Sequence, residues 1–311
     1  MQNSLNIRLK YSFNNNTIRD FFINNQGFLF ILPSLILFFV FVLYPIYYIL
    51  QSSLLDWSGV GTQTFVGFKN YIEIFTQDRA FRLAMRNCLY WTFLTIFPQM
   101  FIGFILAYAL NTNLPGRNVF RAVFYMPAII SPVVIGIVWT RIYNPFNGLL
   151  SDLGFATGLE FLTKPYLSDP KIAIFSVIAV NVWQWTGWSM LMYLAGLQGI
   201  PDELMGAASL DGANLFQRIR YIVWPMLNHV HKTLILLGVI GTLQTFTLIF
   251  SMTKGGPNHA TEMLPFYIFK QGFELQSMGY ASALSVILLV LALTLSLFQV
   301  LVLGSRFSLY D

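Results

Sequence analysis

This 311-residue chain withholds charge in long blocks. Six windows contain no Asp, Glu, Lys or Arg: Phe21 to Leu55 (35 residues), Asn87 to Gly116 (30), Ala122 to Thr140 (19), Ile172 to Pro201 (30), Thr233 to Thr253 (21) and Leu275 to Ser305 (31). No other gap between charges exceeds 12 residues. A helix crosses the hydrocarbon core of a bilayer in about 17 to 25 residues, so every window is long enough to span. Trimmed of polar ends, the windows predict membrane helices near 28–50, 88–111, 119–143, 171–196, 229–251 and 280–304. The expected fold class is an all-α membrane protein with six transmembrane helices. A tail over 1–27 precedes the membrane domain at 28–304, and a short tail follows over 305–311.

Composition narrows the function classes. Only 10% of residues are charged, against about 25% in a soluble domain. The net charge of +5 comes without any run of Lys or Arg, so it reads as charge flanking a bilayer and not as a nucleic-acid stripe. A single cysteine, Cys88, leaves no internal disulfide and no Cys-based metal site. The first window follows Arg8, Lys10 and Arg19, yet it is too long for a signal peptide's apolar stretch and ends in Tyr44-Pro45-Ile46-Tyr47-Tyr48. It is expected to be a retained membrane helix with an aromatic belt.

Six spans put both termini on one side. The positive-inside rule divides Lys and Arg nine to nine between the two sides. The short connection from Asn111 to Val119 and the N-terminal tail then favour cytosolic termini. That orientation makes 200–226, between the fourth and fifth spans, a cytosolic loop. Within it, Pro201 suits a helix start and Asp202 and Glu203 suit its positive dipole end, while Gly212 supplies a left-handed stop. Nothing larger than Ala stands at 206 to 208. A short helix with such a smooth face fits a groove on another protein; the alternative is an interfacial helix packed on its own subunit.

Nucleotide and metal chemistry are missing from the chain. It has no G-x-x-x-x-G-K-[ST] phosphate cradle. His229 and His231 are two apart, point in different directions on a helix and have no nearby Cys or carboxylate, so a metal site is not expected. The charge-free spans argue against an embedded enzyme and a proton-coupled pump. What the spans do hold is Asn181, Gln184, Trp185 and Trp188, spaced to share one helical face. Aromatic faces stack on the C–H side of a pyranose while amides bond its hydroxyls; equally, the amides could join helices and the tryptophans form a packing stripe. A second polar interruption, Gly241, Thr242, Gln244, Thr245 and Phe246, follows in the fifth span, where Gly238 and Gly241 are expected to allow close helix approach. The loop from Asp56 to Arg86 mixes charges of both signs and reads as a solvated surface or a docking site. Gly255, Gly256 and Pro257 predict a tight turn.

The string GLQGIPDELMGAASLDGANLFQRIRYIVWPML resembles the EAA loop of binding-protein-dependent ABC importer permeases: Ala207-Ala208, then Asp211-Gly212-Ala213, then Arg218 to Tyr221, then Pro225. FRAVFYMPAIISPVVIGIVWTRIYNPFNGLL and MTKGGPNHATEMLPFYIFKQGFELQSMGYASALSVIL resemble the carbohydrate branch of the same family, the maltose and glycerol-3-phosphate type. The likeness runs from about Phe28 to the end. It implies a type I importer permease fold whose loop enters a cleft on a cytosolic ATPase, with Glu203, Gly206, Ala207, Ala208, Asp211 and Gly212 making the coupling contact. It also implies a second permease subunit, two ATPase subunits that consume ATP and Mg, an extracytoplasmic solute-binding protein, and a bacterial or archaeal cytoplasmic membrane. No cofactor is expected in this chain. The family's solute contacts correspond to Asn181, Trp185, Trp188, Gly241, Thr242 and Thr245, which makes a sugar, oligosaccharide or polyol the expected solute. One position departs: Gly206 stands where the motif has glutamate, so its charged contact is absent or moved to Glu203. The rival expectation is a self-contained secondary carrier or channel, for which neither internal repeats nor ion ligands in broken helices are found.

Overall fold

The computed structural model describes residues 26–112 and 114–304; residues 1–25 of the expected N-terminal tail and the 305–311 tail lie outside the described residues. The chain divides into two compact units, Met1–Gln51 and Ser52–Asp311. In the first, α1 (Gln26–Phe38) passes through a π-helical turn, Phe39–Leu43, into α2 (Tyr44–Ser52). The widened turn has a local cause. Pro45 has no N–H to give the carbonyl four residues back, and just ahead of it the Tyr44 N–H reaches to Phe39, five residues away.

The second unit opens with a two-stranded antiparallel ladder, β1 (Leu55–Asp56) and β2 (Thr64–Phe65), pairing Leu55 with Phe65 and Asp56 with Thr64. The fold is therefore mostly helical, not wholly so. Helices follow in order: α3 (Lys69–Thr76), α4 (Arg79–Leu110), α5 (Arg117–Ile129), α6 (Pro132–Ile142), α7 (Leu149–Thr157), α8 (Ala173–Gln198), α9 (Asp202–Leu210) and α10 (Leu215–Arg218). A π turn, Ile219–Val223, leads to α11 (Trp224–Met226), then α12 (Asn228–Leu243), α13 (Thr247–Met252), α14 (Leu264–Phe269) and α15 (Met278–Gly304).

Two of the six expected helices are interrupted among the described residues. Among the described residues three helices are long and apolar enough to cross a membrane, Phe30–Ser52, Arg79–Leu110 and Met278–Leu301, and up to five if each sharply bent pair is one span. The helix expected over 119–143 breaks between α5 and α6 with a 96° bend. Pro132 disfavours helical backbone at Ser131, which is extended at ψ 131°. The helix expected over 229–251 stops at Leu243 and restarts at Thr247. Helix α8, 26 residues long, has the length of a span, but Asn181, Gln184 and its neighbours dilute its hydropathy. Helix α4 begins earlier than expected because Asp78 caps it, its Oδ1 accepting from the Phe81 N–H at 2.9 Å. Tyr267 and Tyr280 donate to the other oxygen of Asp78, at 2.7 and 2.6 Å, tying α14 and α15 to that cap.

Two apolar cores share α4. One gathers Trp91 with Ile249, Met263, Leu264, Phe266 and Leu284; the other gathers Phe104 with Met190, Tyr193, Leu227 and Leu234. In lipid such contacts act through close van der Waals packing, since moving an apolar side chain between hydrocarbon environments gains little. The turn after α13 takes up Gly255 at φ +76° with a cis Gly256-Pro257 bond. Buried Glu262 closes it: His259 Nδ1 lies 2.6 Å and Lys270 Nζ 3.8 Å from its Oε2. The Asn87 amide donates to the carbonyls of Glu262 and His259, fixing this turn to α4.

Candidate functional site

Residues from both cores line a cavity of about 370 Å³. All nine solute-facing residues expected from the sequence are on its wall: Asn181, Gln184, Trp185 and Trp188 from α8, and Gly241, Thr242, Gln244, Thr245 and Phe246 from the end of α12 and the break beyond it. The break itself builds that wall. The N–H groups of Gln244 and Thr245 turn back to the carbonyls of Gly241 and Thr242, at 3.2 and 3.1 Å, which ends the helix facing the cavity. Gly238 does allow close approach, for a Cβ there would lie 2.5 Å from Ile96 Cγ1. Gly241 meets no neighbouring helix among the described residues: nothing lies within 4 Å of a Cβ at that position, and its backbone opens onto the cavity.

Helix α4 adds Trp91, Thr95 and Gln99 to the lining, which the sequence reading did not single out. Gln99 Nε2 donates to Asn181 Oδ1 at 3.1 Å. Gln184 is buried, and its Nε2 lies 3.4 Å from the Ile130 carbonyl at the α5–α6 bend. Trp188 stacks on Tyr125 with ring centroids 6.5 Å apart, while more than a third of Trp185 and of Trp188 stays exposed. The Thr242 and Thr245 hydroxyls donate to their own helix, at Gly238 and Gly241, and keep acceptor capacity toward the cavity. Among the described residues no Asp, Glu, Lys, Arg or His lines this space. Its chemistry is amide, hydroxyl and indole.

The 200–226 segment folds as helix, turn, helix. After α9, Gly212 takes φ +75°. The Gly212 N–H bonds the Ser209 carbonyl and the Ala213 N–H bonds Ala208, the paired closure that a left-handed glycine makes at a helix end. Asn214 then opens α10 with a reciprocal cap, its side chain accepting from Gln217 N–H and Gln217 accepting from Asn214 N–H. Arg218 donates to Ser209 Oγ across the turn at 3.2 Å. Of the six residues assigned to coupling, Glu203, Gly206, Ala207, Asp211 and Gly212 are exposed, whereas Ala208 is buried against its own chain. The smooth outward face is thus Gly206-Ala207, not all three residues.

Residues 99–305 match the family described as binding-protein-dependent transport system inner membrane component. The chain belongs to that family. It is a multi-pass permease of the cytoplasmic membrane, a transporter subunit and not an enzyme. The permease is 38% identical to the probable ABC transporter permease YurN of Bacillus subtilis, over 88% of this chain and 94% of that one. It is 31% identical to the trehalose/maltose permease MalF of Thermococcus litoralis, over 96% of each. The fold matches a chain of a bacterial ABC transporter involved in import of the acidic polysaccharide alginate, with TM-score 0.81 at 21% identity, covering 94% of this permease and 100% of that chain. Among the described residues no group of three or more His, Cys, Asp or Glu is placed to hold a metal ion.

Proposed function

We propose that this permease forms half of the membrane path of an ATP-driven importer for an uncharged sugar or oligosaccharide. The observation that carries the proposal is the cavity: about 370 Å³, within the roughly 300 to 1,000 Å³ usual for small-molecule sites, lined by amides, hydroxyls and tryptophans with no charged group. Such a wall bonds sugar hydroxyls and stacks on pyranose faces, and it offers a phosphate or carboxylate hydrogen-bond donors but no cationic side chain to balance its charge. The trehalose/maltose relative agrees with a neutral glycan.

In this reading both termini, 1–27 and 305–311, are cytosolic. A second permease subunit completes the path, two ATPase subunits consume ATP and Mg, and a binding protein delivers solute from the other side. The segment 202–212 meets the ATPase through Gly206-Ala207, with Glu203 as the remaining acidic contact. ATPase closure moves the segment, the cavity opens outward, and hydrolysis returns it inward. Purified importer tests this: ATPase activity should rise on adding binding protein loaded with a neutral oligosaccharide, and loading with a glycerol phosphate or a uronate should give no rise. Stimulation by the anion alone would sink the neutral assignment.

A further inference from the structure

Resting on the coupling reading above, we infer that His231 is a positioning residue that carries movement of the 202–226 segment to the cavity wall. Helix axes before and after Leu227 meet at 64°, so the coupling segment is joined to α12 through an elbow, not a straight rod. An elbow transmits force only if something holds its angle.

His231 spans it. Its Nε2 lies 3.1 Å from the Trp224 carbonyl, in the last turn before the bend, and its Nδ1 lies 2.8 Å from the Tyr193 hydroxyl on α8. A carbonyl only accepts, so Nε2 carries the proton, and Nδ1 accepts from Tyr193. Carbonyls at a helix end lack an intrahelical donor, and the imidazole supplies one. The ring also lies 4.2 Å from the Trp224 ring, centroid to centroid. Phe104 of α4 backs both partners, 5.6 Å from Tyr193 and 5.3 Å from Trp224. A Cβ on Gly196 would come within 2.7 Å of both Leu227 and Val230 side chains, so α8 lies directly against the elbow.

Each end of this clamp is about one helical turn from the cavity. His231 precedes Leu234 on α12, and Tyr193 follows Ser189 on α8; Leu234 and Ser189 both line it. A rotation of the coupling segment therefore reaches two walls together. Without the imidazole bonds, the bend flexes and the segment moves while the walls stay.

The test uses the assembled importer carrying Thr245→Cys, at a half-exposed cavity position, and a maleimide probe applied with and without Mg-ATP and vanadate. Labelling of the parent should change several-fold with nucleotide. His231→Phe keeps a ring but loses both nitrogen contacts, and its nucleotide response should fall to about one while the ATPase stays bound. His231→Gln, whose amide N–H can reach Trp224, should recover much of the response. Tyr193→Phe, lacking a single hydroxyl, should give an intermediate loss and serves if His231→Phe does not assemble. A full response in His231→Phe, or in Tyr193→Phe where the former fails to assemble, overturns the inference. A parent that shows no nucleotide response instead refutes the coupling reading beneath it.

Discussion

Replacing Asn181 with Leu separates a solute contact from a helix joint. The substitution keeps side-chain volume close and removes the acceptor of the Gln99 bond, a 3.1 Å contact between α4 and α8. Interhelical hydrogen bonds in membranes contribute about 0.6 kcal/mol on average, reaching roughly 1.7, so the fold should survive, with Gln99 keeping its 3.4 Å contact to the main-chain carbonyl of residue 181. If Asn181 also bonds a sugar hydroxyl, losing that bond removes about 0.5 to 1.5 kcal/mol, or roughly a two- to twelve-fold loss of affinity. The assay is uptake of labelled neutral oligosaccharide into proteoliposomes containing the full importer, with basal ATPase activity and assembly by size exclusion as controls. The expected outcome is weaker uptake with unchanged assembly and basal hydrolysis. Unchanged uptake over the whole solute range would show that Asn181 only fastens α4 to α8.

Trp188→Ala should lower uptake while Trp188→Phe retains part of it; equal uptake by all three would return the Trp188–Tyr125 stack to packing alone. Gly206→Trp together with Ala207→Phe should dissociate the ATPase without harming insertion, read by co-purification, whereas Ala208→Leu should destabilise the segment itself because that side chain is buried. Gly212→Val forces a β-branched residue into φ +75°, at about 1 to 2 kcal/mol or more, and should loosen the segment enough to increase protease cleavage between 210 and 214. Asp78→Ala removes a helix cap, which costs about 0.5 to 2 kcal/mol, and frees the hydroxyls of Tyr267 and Tyr280, so the melting temperature should fall; Asp78→Asn, which keeps one acceptor oxygen and turns the other position into a donor, should fall less.

Periodicity and charge spacing were enough to mark where apolar helices lie, because transfer of charge into hydrocarbon is costly wherever it occurs along a chain. They were blind to where those helices bend. Ser131-Pro132 held the signal for the 96° break, but an apolar count treats Pro132 as one more permitted residue. The reciprocal cap of Asn214 and Gln217 was equally visible as a spacing of three. Asn181, Gln184, Trp185 and Trp188 could be grouped because one helix fixes their face. Gln99 could not, since its partner lies 82 residues away and a lone amide beside Pro98 carries no local pattern. Ala208 was assigned to the smooth face on size; its burial depends on what α9 packs against, which size does not reveal. His231 looked like half of a poor metal site, and its use became apparent only once the elbow brought Trp224 and Tyr193 to its two nitrogens.

The most direct test of the account is uptake of a neutral oligosaccharide into proteoliposomes holding the two permease subunits, measured with and without the ATPase subunits, in the presence of loaded binding protein and Mg-ATP. Accumulation should require all components and vanish when the ATPase is omitted. Equal uptake by the permease alone would contradict the account and make the chain a self-contained carrier.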